Sequence, residues 1–189
     1  MEKPIASFLG YCHKRGLVDG ARLIASPNHD QRPDNTEIDV LVIHAISLPP
    51  QCYGNQYVED LFTGRLDANA NPYFMDLAGQ KVSPHFYIKR SGEIIQFVAT
   101  HRRAWHAGKS IFKGRQQVNN FSIGVELEGC DEHEFENLQY TVLRELTLCL
   151  QTAYPLITSE NIVGHSDISP GRKTDPGRCF DWSRYFKSI

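Results

Sequence analysis

Residues 39–46 carry the densest apolar run of the chain. Val40, Leu41, Val42 and Ile43 are apolar at both parities, the pattern of a strand covered on both faces. His44 follows on the parity of Val40 and Val42, near the end of the run, and Ser47-Leu48-Pro49-Pro50 stops it. Residues 121–128 alternate instead. Phe121, Ile123, Val125 and Leu127 share one face, and Ser122, Gly124, Glu126 and Glu128 share the other. Residues 83–90 and 93–98 are joined by Ser91-Gly92, the signature of a β-hairpin. Residues 161–164 predict one more short strand.

Residues 136–154 have helical spacing. Leu138, Val142, Leu146 and Cys149 form a stripe that Leu143 and Leu150 widen, and Pro155 ends it. Shorter helices are expected at 55–62 and 181–186. Residues 21–36 hold Pro27, Asn28, Pro33, Asp34 and Asn35 and read as an irregular lead-in. Residues 63–74 and 105–120 read as loops, and residues 1–20 as a short, partly helical extension. The pattern predicts an α/β domain over residues 21–189: a central mixed sheet with helices packed on it.

Composition narrows the setting. The chain has 189 residues, 41% of them hydrophobic, which allows one domain with a real core. A net charge of −2 gives no electrostatic case for nucleic acid or an anionic membrane. No apolar run approaches the ~20 residues of a membrane span. The N-terminus has Glu2 and only a short apolar run, so no secretory signal is expected. Cys12, Cys52, Cys130, Cys149 and Cys179 are scattered and form no C-x-x-C pair. That argues against a disulfide framework or a cysteine-based metal site, and for a reducing, cytoplasmic setting.

Candidate chemistry concentrates in residues 164–177. This stretch holds His165, Asp167, Arg172, Lys173 and Asp175 between glycines and prolines. Proline and glycine exclude a helix interior, and the stretch has too few apolar residues for core. It reads as a loop that delivers two metal ligands, His165 and Asp175, and one cation, Lys173. In an extended segment Lys173 and Asp175 point the same way. His44, at the end of a buried strand, needs a partner and is the candidate third ligand. Two histidines and one aspartate would leave Zn2+ with a charge of +1 and an open position for water, whose pKa falls toward about 7 in such sites. Lys173 would hold an oxyanion. Glu126, on the polar parity of its strand, would move the proton, although Glu128 shares that parity and the pattern alone does not choose.

These residues carry a resemblance. Val42-Ile43-His44, Leu61-Phe62-Thr63-Gly64, Asn71-Pro72-Tyr73-Phe74, Ser83-Pro84-His85-Phe86, Trp105-His106-Ala107-Gly108, residues 120–129 and residues 164–177 occur in the order seen in the zinc-dependent N-acetylmuramoyl-L-alanine amidases. The chain is most similar to the cytosolic branch that acts on 1,6-anhydro-N-acetylmuramyl peptides in peptidoglycan recycling. The resemblance runs from about residue 21 to the end. It implies the amidase fold shared with peptidoglycan-recognition proteins. It implies zinc on His44, His165 and Asp175, Glu126 as the acid/base and Lys173 as the oxyanion stabiliser. It implies a monomeric enzyme acting on an anhydromuramyl-peptide. Glu128 then becomes a structural hydrogen bonder. His85, Trp105, His106 and Asp167 are candidates for lining the pocket or orienting a ligand, Asp167 more as a loop-stabilising acceptor than as a fourth ligand. Two rival readings remain: an amidase of intact peptidoglycan, as in autolysins and endolysins, and a muropeptide-binding module without catalysis.

Overall fold

The computed structural model describes residues 9–189. Its strands are β1 (Tyr11–Cys12), β2 (Leu17–Val18), β3 (Arg22–Leu23), β4 (His29–Gln31), β5 (Val40–Ile46), β6 (Phe86–Ile88), β7 (Ile94–Gln96), β8 (Arg102–Ala104), β9 (Ile111–Phe112), β10 (Arg115–Gln116), β11 (Ser122–Glu128) and β12 (Ile162–Gly164). Its helices are α1 (Tyr57–Phe62), α2 (Asn137–Ala153), α3 (His165–Ile168) and α4 (Trp182–Phe186). Six strands form a mixed sheet in the order β12-β5-β11-β6-β7-β3.

β5 lies inside this sheet, parallel to β11 on one edge and to β12 on the other. Both of its faces are covered, which accounts for its apolar residues at both parities. Leu41 and Ile43 join Ile123, Val125 and Leu127 of β11, and Leu143, Leu146 and Leu150 of α2, in one cluster. Val40 and Val42 face the other way, against Ala107, Val118, Phe121 and Ile168. Each fully buried aliphatic side chain here contributes about 1.5–3 kcal/mol. Gln139 fixes α2 to the sheet. Its Oε1 accepts from the Glu136 N–H at the helix start (3.0 Å), and its Nε2 donates to the carbonyls of Ile88 (3.3 Å) and Glu128 (3.1 Å).

Register then places the chemistry. Ser122, Gly124 and Glu126 lie beside Val40, Val42 and His44, and Tyr87 lies beside Glu126 on the next strand. Neighbours in register share a face. A slip of one residue between β5 and β11 would leave His44 and Glu126 on opposite faces of the sheet.

Several expectations change. The partly helical reading of residues 1–20 fails for residues 9–20, where β1 and β2 pair as an antiparallel hairpin; residues 1–8 lie outside the described residues. Tyr11 anchors that hairpin, its hydroxyl meeting those of Thr100 (2.6 Å) and Tyr154 (2.5 Å). The lead-in at 21–36 contains β3 and β4, too short to show a pattern. Leu138 leaves the helix stripe, being 49% exposed, whereas Leu143 and Leu150 sit at its fully buried centre. The polar parity of β11 is also buried, from Ser122 to Glu128. Residues 164–177 are not loop throughout, because α3 occupies the first turn and ends before Pro170.

Candidate active site

His44 stands at the C-terminal end of β5, fully buried. β12 runs alongside β5 and passes directly into α3, so His165 arrives next to His44 as the first residue of that helix. Asp167 accepts from the Gly164 N–H (2.7 Å) and fixes this strand-to-helix junction. The chain then turns and comes back. Ser166 N–H donates to the Asp175 carbonyl (3.0 Å), which brings the Asp175 side chain to the same point.

Three donor atoms converge there. His44 Nδ1 is 3.0 Å from His165 Nδ1 and 3.2 Å from Asp175 Oδ2, and His165 Nδ1 is 3.0 Å from Asp175 Oδ2. A tetrahedral zinc with bonds of about 2.0–2.1 Å separates its ligand atoms by about 3.3 Å. His165 Nε2 lies 3.3 Å from the Ala107 carbonyl and 3.4 Å from Arg172 Nη2, so a metal on Nδ1 would leave the Nε2 proton facing that carbonyl. Two nitrogens and one carboxylate oxygen suit a borderline-soft cation, and this triad could hold a metal. Burial pushes His44 down to about 4, with the Asp175 hydrogen bond opposing it and the neighbouring His165 adding to it. Burial alone would raise the Asp175 carboxyl, but hydrogen bonds from His165 and His44 outweigh it and hold the group well below the usual range. His44 is thus set as a neutral imidazole and Asp175 as an ionised carboxylate, the forms that bind metal.

His165 and Asp175 line a cleft of about 660 Å³, whose other walls include Glu126, Trp105, His106, Lys173, Tyr73 and Asp131, and His44 lies buried directly behind them. Glu126 is buried at 9% exposure, and its Oε2 has no hydrogen-bond partner among the described residues. Burial pushes its carboxyl well above the usual range, the Asp175 charge adds to this, and Lys173 opposes it. A carboxyl in that condition is poised to exchange a proton. Lys173 is exposed on the cleft wall. Glu128 points elsewhere, accepting from the backbone N–H groups of Gly54 (2.5 Å) and Arg90 (2.8 Å).

The remaining histidines separate. His106 Nδ1 is 2.9 Å from His44 Nε2, and His106 Nε2 is 3.1 Å from Ser122 Oγ. His85 stays away from the cleft. Its Nδ1 accepts from the Gly124 N–H (3.0 Å), so its Nε2 carries the proton and donates to the Arg102 carbonyl (3.1 Å). Partly buried Arg32 lies beside it and donates to the carbonyls of Asn119, Asn120, Thr100 and Ser122.

The motif-based reading gives no role to three contributors. Arg172 ties the two loops of the site together, donating to the carbonyls of Ala107 (2.8 Å) and Lys109 (2.9 Å) and to Ser169 Oγ (2.7 Å). Gly124 leaves room for His106, since a Cβ there would lie 2.4 Å from the ring. Ser122 meets that ring's far nitrogen. A serine and a glycine preceding Glu126 on one parity are the signal that could have pointed to a side chain lying across the strand.

Known proteins resemble this chain over most of its length. Residues 34–178 match the family model described as N-acetylmuramoyl-L-alanine amidase. A relative from Haemophilus influenzae, the 1,6-anhydro-N-acetylmuramyl-L-alanine amidase AmpD, is 50% identical over 93% of this chain and 96% of its own length. The crystal structure of a selenomethionine AmpD derivative superposes with a TM-score of 0.90 at 47% identity, over 93% of this chain and 97% of that one. The Escherichia coli amidase AmiD, in complex with the substrate anhydro-N-acetylmuramic acid-L-Ala-D-gamma-Glu-L-Lys, gives a TM-score of 0.58 at 30% identity, over 84% of this chain and 60% of that one. The chain belongs to the N-acetylmuramoyl-L-alanine amidase family and is an amide hydrolase.

Proposed function

We propose that this protein binds Zn2+ through His44 Nδ1, His165 Nδ1 and Asp175 Oδ2, and hydrolyses the amide between the lactyl group of 1,6-anhydro-N-acetylmuramic acid and L-alanine of the stem peptide. The observation that carries this reading is the convergence of three metal-binding atoms at the wall of a cleft that also holds a buried carboxyl with an unpartnered oxygen. The substrate follows from the near full-length similarity to the Haemophilus influenzae amidase.

Zinc held by the triad supplies Lewis acidity toward water and the scissile carbonyl. Glu126 takes a proton from the attacking water and passes it to the leaving nitrogen of L-alanine. Its raised carboxyl range suits both directions of transfer. Lys173 brings a cation to the cleft for the oxyanion that forms at the carbonyl carbon. The cleft, about 660 Å³, is of the size that encloses a small ligand.

We place the reaction in the cytoplasm, in a monomeric enzyme that serves peptidoglycan recycling. Five free thiols and no disulfide support a reducing compartment. No helix among the described residues is long and apolar enough to cross a membrane.

The test is incubation with anhydromuramyl-tripeptide, with product masses followed by mass spectrometry. Zinc-loaded protein should release free tripeptide, and a chelator should stop it. Tight binding of the muropeptide without cleavage by the zinc-loaded form would instead identify a binding module. Faster release from intact sacculi than from the soluble fragment would move the enzyme to cell-wall cleavage.

A further inference from the structure

We propose that His106 is a positioning residue. With Ser122 it holds the His44 imidazole with its proton on Nε2 and leaves Nδ1 bare for the metal. The proposal rests on the metal reading given above.

A neutral imidazole has one N–H and one lone pair. His44 Nδ1 faces His165 and Asp175, while its Nε2 faces His106 Nδ1 at 2.9 Å. A metal on Nδ1 requires the proton on Nε2, where it needs an acceptor. His106 Nδ1 is the partner within reach among the described residues. His106 must then carry its own proton on Nε2, and Ser122 Oγ accepts it at 3.1 Å. The chain Ser122, His106, His44 therefore has one direction when the metal is bound.

The fold holds this chain in place. Asn119 Oδ1 accepts from the backbone N–H groups of His106 (3.1 Å) and Ala107 (2.8 Å). The His106 and His44 rings meet edge to face, with centroids 5.0 Å apart. The ring lies over Gly124, where any side chain would collide with it. His85 packs behind it at 5.7 Å.

The identity of the acceptor has a chemical consequence. Metal-bound histidines usually donate their second N–H to a carboxylate, a carbonyl or water. His165 follows that rule with the Ala107 carbonyl. His44 uses a neutral imidazole, which fixes its orientation without adding negative charge. The cation keeps more of its pull on a substrate carbonyl than it would beside another carboxylate.

Three measurements test this. His106→Leu removes the acceptor, and His106→Asn restores an oxygen near the Nδ1 position. Zinc affinity is read by competition with a chromophoric chelator. The metal-free melting midpoint controls for folding. In His106→Leu the affinity should fall about 10–100-fold with the metal-free midpoint little changed, and His106→Asn should recover most of it. Nitrogen-15 imidazole spectra of the zinc-loaded wild type should show both His44 and His106 protonated on Nε2. Wild-type affinity in His106→Leu, or a proton on His106 Nδ1 in the zinc-loaded protein, would overturn the assignment. If His106→Leu does not fold, the wild-type spectra decide, with Ser122→Ala expected to show a smaller loss of affinity. A wild type that binds no zinc would remove the metal reading itself. Normal zinc binding with an insensitive His106→Leu removes only this proposal.

Discussion

Strands β5 and β11 each present two different surfaces on alternate residues. Toward α2 they show Leu41, Ile43, Ile123, Val125 and Leu127, all at 1% exposure or less. Toward the cleft they show His44, Ser122, Gly124 and Glu126. Both surfaces are buried, but their energetics differ. The first gains from apolar area removed from water, which is non-directional and tolerant of shape. The second places polar groups where burial disfavours their charge, as the low pKa of His44 and the raised one of Glu126 record. The helix-facing side supplies stability, and the cleft-facing side uses part of it to hold reactive groups in place.

The strongest separation of the two sides should come from Glu126→Gln. It removes the proton carrier and leaves the shape. Turnover on anhydromuropeptide should fall about 10²–10⁴-fold. The thermal midpoint should not fall, because an unpartnered buried carboxyl is replaced by a neutral amide of equal size. Calorimetry and product release on one preparation check both halves. Normal turnover would place the base on another residue.

Leu143→Ala probes the opposite side. Leu143 is fully buried under the sheet. Its truncation should cost about 2–5 kcal/mol in denaturant unfolding. The kcat of protein that remains folded should stay close to wild type. A folded variant with much reduced kcat would mean that packing under α2 sets the geometry of the cleft, and the two sides would not be separable.

The sequence made one side far more legible than the other. β5, β11 and α2 have enough residues for their periods to show, so the sheet and its helix-covered face could be read directly. The donors at 44, 165 and 175 could be grouped because their residue types and a family motif point to one chemistry. The division between His85 and His106 could not be read. Both lie beside short strands: the register of β6 against β11 sends His85 to the Gly124 N–H, and the Asn119 side chain, which holds the loop after β8, brings His106 to His44. The β1–β2 hairpin was hidden for another reason. Two-residue strands carry no period, and its anchor, Tyr11, reaches across 143 positions to Tyr154. α3 escaped because the proline that forbids a longer helix comes after its last residue.

Gly124→Ala tests the seat that the cleft-facing side provides. The new Cβ would lie 2.4 Å from the His106 ring, so the ring must move. Overpacking of this kind costs about 1–3 kcal/mol. The same change should weaken zinc binding, because it displaces the partner of His44 Nε2. Unchanged stability together with unchanged zinc affinity would show that the ring has room to shift, and the strand would lose its claim to position it.

Leu138→Ala should have the smallest effect, and it sharpens the account of the helix-facing side. Helical spacing puts Leu138 on the same stripe as Leu146 and Cys149, yet 49% of its surface is exposed. It lies where α2 begins to pass the edge of the sheet, over the turn at Gly92, where a Cβ would come within 2.7 Å of Leu138 Cγ. Half of its side chain is therefore already in water beside that turn. Only part of its side chain leaves water on folding, so truncation should cost under about 1 kcal/mol. Leu143, five positions along the same helix, should cost several times more in the same titration. A loss at 138 equal to that at 143 would mean that the turn at Gly92 closes over the leucine in solution, and that the apolar stripe extends to the first turn of α2.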